Sequence, residues 1–137
     1  MKITTIYHLV KAGDLNHHGT LFAGRTAEWF VEAGFIAAAG LVPPENIVCL
    51  KIHGMKFSHP IPCGAILCLE SRVVLAGNTS MVTHIQSIYN DRVVLSGFIT
   101  FVHVDENGRP KPHQLSVTAV TNEEKSLQGE ALHLTRS

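Results

Sequence analysis

One stretch of helical periodicity, followed by a long region that carries none, decides most of what this chain can become. From Ala23 the apolar residues Ala27, Phe30, Val31, Gly34, Phe35 and Ala38 recur at the i, i+4, i+7, i+8 spacing of an α-helix, which Gly40 and the Pro43-Pro44 pair end. Trp29, Ala33, Ile36 and Ala37 fill other positions, leaving only Arg25, Glu28 and Glu32 charged, so the helix is expected to be buried nearly all round.

The rest reads as strands. Thr4 to Val10 alternates polar and apolar residues before Lys11-Ala-Gly-Asp14 breaks the pattern. After the helix come Ile47 to Phe57, Ala65 to Leu75, Ser80 to Tyr89 and Arg92 to Val104, rich in Val, Ile, Thr and Leu. Ala76-Gly77-Asn78 and Asn90-Asp91 are short enough for tight hairpins, and Ser58 to Gly64 is a longer, proline-stiffened turn. One strand, a long helix and an antiparallel meander imply an α+β arrangement, a curved antiparallel sheet wrapped around one long central helix. Glu106 to Pro110 is a turn, and Thr121-Asn122 suits the cap of a helix over about 122–134 bearing Leu127, Ala131 and Leu134, either packed on the body or frayed. With no repeat and no low-complexity stretch, residues 1–137 read as one domain.

Composition narrows the function. Lys plus Arg and Asp plus Glu number 11 each, which leaves neither a basic footprint for nucleic acid nor an acidic tail. No run approaches the ~20 apolar residues of a membrane span, and residues 1–8 lack a signal-peptide core, so a cytoplasmic protein with no membrane partner is expected. Cys49, Cys63 and Cys68 are an odd set in apolar surroundings and read as buried free thiols without a catalytic role. Nine histidines show no zinc-type spacing; His17-His18 is the only cluster, and no metal is expected.

The chemistry concentrates where a polar, glycine-punctuated loop, Asp14 to Gly24, runs into the helix. First-turn amides lack an internal acceptor, so the Gly24 N–H can polarise a developing oxyanion, and the missing side chain lets a carbonyl approach. Asn16 offers an amide to orient water or a carbonyl; the alternative is that Asn16 and Gly19 only shape a turn. Arg25, Glu28 and Glu32 share a stripe at i, i+3, i+7. If partly buried, the two like charges would raise each other's pKa toward that of a general base or poised nucleophile. If solvent-facing, Arg25 would offset both.

Asn16-His-His-Gly19-Thr-Leu-Phe-Ala-Gly24, followed by Glu28-Trp-Phe-Val-Glu-Ala33, resembles the acyl-CoA thioesterases of the hotdog superfamily, with their Asn-x-x-Gly-x-x-Phe/His-Gly-Gly loop and Trp-Met-Asp-Glu-Ala helix. Phe57 to Gly64, Gly77-Asn-Thr-Ser-Met81 and Phe101 to Pro110 resemble three further blocks of that family, so the likeness spans most of residues 4 to 112. It implies a hotdog fold that hydrolyses acyl-CoA to CoA and a carboxylic acid, with CoA as part of the substrate and no cofactor. Gly24 would polarise the carbonyl, Asn16 would hold water or carbonyl, and Glu32 would be the carboxylate. Val31 occupies the family's aspartate position, which makes Glu28 a second candidate; Ala23 replaces the first glycine of the pair. CoA's nucleotide end would lie near Gly77, Asn78, Thr79 and Ser80, with Arg109 supplying charge. The likeness also implies a dimer, or a dimer-based tetramer or hexamer, with Asn16 and the glutamate drawn from different subunits. The alternatives are an acyl-CoA-binding protein without turnover, and a hydratase or dehydratase using His17 or His18 with Glu32.

Overall fold

The computed structural model describes residues 1–135. Strands β1 (Thr4–Leu9), β2 (Ile47–Met55), β3 (Ile66–Ala76), β4 (Ser80–Tyr89) and β5 (Arg92–His103) form one antiparallel sheet in the order β1-β3-β4-β5-β2. The hairpins make β3, β4 and β5 neighbours, and β1 and β2 take the two edges. Asn90 and Asp91 both adopt left-handed backbone, φ 52° and 59°, the two-residue turn whose twist matches flanking strands. Each strand ends within two residues of its expected limit; β2 stops at Met55 rather than Phe57. No described helix is long and apolar enough to cross a membrane.

Helix α1 (Ala23–Ala39) lies on one face of the sheet, and register shifts along β2, β3 and β4 add the local twist that lets the sheet curl around it. Phe30 and Ala33 are fully buried against Leu69, Ile85, Ile99 and Phe101 of the main core. At Gly34 helix and sheet approach so closely that a Cβ would sit 3.0 Å from both Ile85 Cδ1 and Thr83 Oγ1. Ser71 Oγ donates to the Ala33 carbonyl at 2.8 Å and ties β3 to the same turn.

Two expectations are corrected. The helix is not buried all round: Gly24, Glu28, Glu32, Ile36 and Gly40 leave a narrow exposed stripe, because residues four apart share a flank and the sheet covers only the other side. The cysteines are free, but Cys49 and Cys63 are exposed and Cys68 half-buried. Cys49 lies on β2, an edge strand paired only with β5, and Cys63 lies in the turn before β3.

Beyond β5 the chain doubles back, and helix α2 (Asn122–Thr135) docks on the opposite sheet face, where Leu127, Ala131 and Leu134 meet Val74, Val82 and Phe98. The expected cap forms: Thr121 Oγ accepts the Glu124 N–H at 3.1 Å, and Glu124 Oε1 accepts the Val120 and Thr121 N–H groups at 3.0 Å. Gln128 Nε2 donates to the Val74 carbonyl, and Arg72 pairs with Glu123 at 2.7 Å, so this segment packs rather than frays.

This docking is expected to be acid-sensitive. Burial against Phe98, then the Arg72 charge, push His84 from 6.5 down to about 4. The Thr121 and Val120 N–H groups, then the amino group of Met1, hold Glu124 down from 4.5 to about 2. Both groups bind fewer protons folded than unfolded, so acid favours unfolding. Their stabilisation is present above the unfolded values and is lost from pH 6.5 to 4 for His84 and from 4.5 to 2 for Glu124. Tm followed by circular dichroism against pH is expected to fall through both windows, and Glu124→Gln to remove the lower one.

A second stability test comes from Ser87. It is fully buried between Leu69 and Leu95 in the sheet register, and its hydroxyl has no hydrogen-bond partner among the described residues. Ser87→Ala is expected to raise stability by about 1 kcal/mol in urea denaturation. A loss of stability instead would show that the hydroxyl is bonded in solution.

Candidate active site

Residues 14 to 22 form a closed loop. The Asp14 carbonyl accepts the Phe22 N–H at 2.8 Å, Leu15 and Leu21 bridge, and the Asn16 N–H reaches the Thr20 carbonyl at 2.7 Å. Gly19 turns the tip with φ 80°. Asn16 Oδ1 accepts the His18 and Thr20 N–H groups at 2.8 and 3.2 Å, and Nδ2 donates to Thr20 Oγ1 at 3.1 Å. The turn-shaping role is therefore real; an amide has two N–H donors, and only one of Asn16's is committed.

Asp14, which no sequence pattern singled out as functional, locks this loop to α1. Its buried carboxylate accepts the Lys11 N–H at 2.9 Å and lies 3.2 Å from Arg25 Nε in the first turn of the helix. The only signal in the sequence is an acid three residues after a turn-starting Lys11.

Phe22 precedes the helix without a side-chain cap; the Arg25 and Thr26 N–H groups turn back to its carbonyl at 2.9 and 3.1 Å, whereas the Gly24 N–H has no acceptor among the described residues. A side chain at 24 would collide with the Phe22 ring. Beside this helix end opens a cavity of about 290 Å³. Asn16, Thr20, Thr26, Ser58 and His59 are its polar lining, and Leu21, Ala23, Ile61, Leu67, Val94 and Leu95 form its apolar wall. Such a space suits a carbonyl at the helix end with a hydrocarbon chain inside.

The glutamates are arranged differently from either expectation. Arg25 Nη1 pairs with Glu28 at 3.3 Å and Nε with Asp14, and does not reach Glu32. Glu32 Oε1 lies 3.6 Å from His8 Nε2. The Glu28 and Glu32 side chains are 60% and 49% exposed, so the expected desolvation is missing within the protomer. Trp29 stacks on His8 of β1, whereas Phe35 meets Phe101 of β5 edge-on at 6.0 Å. Val31, one turn before Phe35, belongs to the β5 flank, and Glu32, about 100° further round, faces β1.

The second predicted group lies elsewhere in the protomer. β3 runs from the cavity to the Gly77–Ser80 hairpin, which therefore occupies the opposite end of the sheet from Gly24. There the Gly77 N–H donates to the Ser80 carbonyl at 2.9 Å, and the Asn78 and Thr79 carbonyls accept from His113 and His103. Arg109 sits in the neighbouring turn, its N–H on Asp105 Oδ1 at 3.0 Å. One protomer thus sets Asn16 at the cavity beside the start of α1, with Gly24 following Ala23 of its lining, and leaves Glu32, Gly77 to Ser80 and Arg109 apart. His17 and His18 are exposed, their rings 4.0 Å from each other, and no hydrogen bond or ion pair joins either to Glu32. No metal-binding cluster occurs among the described residues.

Residues 18–95, which include the helix end, the cavity wall and strands β2 to β4, match the model of the thioesterase superfamily. The chain belongs to that superfamily. It is 30% identical over 125 residues to the uncharacterised acyl-CoA thioester hydrolase YkhA of Bacillus subtilis, covering 87% of this chain and 72% of the relative. Among solved structures it superposes on an apo-hexameric acyl-CoA thioesterase with TM-score 0.89 and 30% identity, over 98% of this chain and 88% of the other. The acyl-CoA hydrolase of Staphylococcus aureus in complex with butyryl coenzyme A, coenzyme A and coenzyme A disulfide gives 0.87 and 26%, over 98% and 82%. The same hydrolase has been solved with an asparagine and with an aspartate changed to alanine, fifteen positions apart; fifteen positions after Asn16 this chain has Val31.

Proposed function

We propose that this protein hydrolyses acyl-CoA thioesters to CoA and a carboxylic acid at a site shared between two copies of the chain. The observation that carries the reading is the cavity whose apolar interior opens on Asn16 and the uncapped start of α1. The acyl chain enters that interior and the thioester carbonyl accepts the Gly24 N–H, where the helix dipole favours the developing negative charge. Asn16, anchored through Thr20, uses its spare N–H to hold the water or the carbonyl. Glu32 takes the water's proton as oxygen attacks the carbonyl carbon, the C–S bond breaks, and the proton passes to the departing CoA sulfur.

Glu32 lies about two turns from Gly24 along its own helix, so the carboxylate at a given Gly24 comes from the second copy. The exposed apolar edge of β2, with Val48, Leu50 and Ile52, supports self-association there. A twofold axis at this edge reverses the partner and carries its hairpin end, Gly77 to Ser80 with Arg109, toward this copy's Gly24 end, where CoA's phosphates need amides and positive charge. Larger assemblies would build on that dimer, as the hexameric relative suggests. CoA enters as part of the substrate and leaves as a product, and no cofactor takes part. A cytoplasmic location completes the reading.

CoA release from short- to long-chain acyl-CoAs tests it. Wild type is expected to turn over part of the panel, and Asn16→Ala to lose about 100-fold in kcat with assembly intact. Binding of acyl-CoA without release on any chain length would establish the non-catalytic alternative.

A further inference from the structure

We infer that His8 is the positioning residue for Glu32. The inference deepens the proposed function and rests on Glu32 as the base. His8 is the inward residue of edge strand β1, and its ring lies flat on Trp29 with centroids 4.3 Å apart and planes 5° from parallel. That stack fixes the plane of the imidazole. Nε2 is one of two buried side-chain polar atoms found without a hydrogen-bond partner among the described residues, and it faces Glu32 Oε1 at 3.6 Å.

At that separation there is no hydrogen bond yet. His8 is held between sheet and helix, while Glu32 is half exposed, so rotation of the glutamate closes the gap and satisfies Nε2. A flexible glutamate on an exposed stripe needs such a partner to act as a base, because proton transfer depends on a fixed approach to the water. Arg25 could not serve as well. Its Nη1 is taken by Glu28 at 3.3 Å and its Nε by Asp14 at 3.2 Å, whereas the His8 ring, fixed on Trp29, turns Nε2 toward Glu32. The geometry therefore divides the two glutamates: Glu28 belongs to the Asp14–Arg25 lock of the loop, and Glu32 to His8.

Steady-state kinetics on the best acyl-CoA of the panel, with melting temperatures, test this through His8→Phe, His8→Gln, Glu32→Gln and the double variant that combines His8→Gln with Glu32→Gln. Phenylalanine keeps the stack on Trp29 and removes the nitrogen; glutamine keeps an N–H donor and removes the stack. A positioning role gives a fall of about 10- to 100-fold in kcat for His8→Phe with KM and melting unchanged, and partial recovery in His8→Gln. A purely structural role gives the reverse order and overturns the inference, as does wild-type kcat in His8→Phe. If His8→Phe fails to assemble, the double variant decides: losses smaller than additive support coupling of His8 to Glu32, and additive losses overturn it. Full activity in Glu32→Gln would instead remove the base assignment itself, a failure distinguishable from that of His8 alone.

Discussion

Glu32→Gln is expected to lower kcat by about 100-fold or more, while Glu28→Gln stays within about threefold of wild type. Glutamine matches glutamate in shape and offers His8 the same kind of acceptor oxygen, but it cannot take a proton from water. The fold gives no reason for collapse, since the Glu32 side chain is 49% exposed and faces His8 at 3.6 Å without a hydrogen bond to lose. Glu28 is the control that gives the result meaning. Its carboxylate is committed to Arg25 at 3.3 Å, and when it is neutralised Arg25 keeps its contact with Asp14 at 3.2 Å, so the loop and the cavity should persist. CoA-release kinetics on both variants, with assembly checked by sedimentation, read the difference. The opposite pattern would move the base one turn toward the helix start and make the Arg25 network part of the chemistry, and a fall in neither variant would leave hydrolysis without a glutamate base.

How much of this was legible in the sequence depends on the range of the interaction involved. Strand alternation, the Asn90-Asp91 turn and the Thr121 to Glu124 cap are local, and each appears where the residues placed it. The loop into the helix at Asn16 and Gly24 was legible for the same reason. Burial of α1 was not, because alanines, Ile36 and glycines read as apolar whichever way they face, and one protomer covers only the flank that meets the sheet. Cys49 misleads likewise, since nothing in its neighbours marks β2 as an edge. Asp14 and His8 escape a sequence reading because their roles exist only in contacts between elements: Asp14 with Arg25 across the loop, and His8 of β1 with Trp29 and Glu32 of α1. Ligand spacing among histidines is a pattern in the chain, whereas the property that matters at His8 is the face of the strand it occupies.

Gly97→Ala is expected to destabilise the protein by about 3 kcal/mol, at the upper end of overpacking effects. Gly97 of β5 pairs with Met55, beside the register shift where Gly54 of β2 takes φ 83°. That bulge turns the Gly54 carbonyl onto Gly97, and a Cβ there would collide with Gly54 O while sitting 3.0 Å from Phe30 Cζ. Neither neighbour can yield cheaply: one is backbone, and the other is the fully buried ring at the centre of the α1 contact. Gly24 makes the useful contrast. There the obstacle to a Cβ is the ring of Phe22, 54% exposed and able to swing into solvent, so Gly24→Ala should fold and show its effect in kcat. For Gly97→Ala the urea midpoint should drop by roughly 1.5 M. Because relief would come most easily by displacing β2, the same variant should also weaken the dimer if that edge is the interface, a shift that sedimentation velocity would record. A wild-type midpoint with normal assembly would mean that the bulge at Gly54 moves freely, and that this edge is too pliable to hold two copies in register.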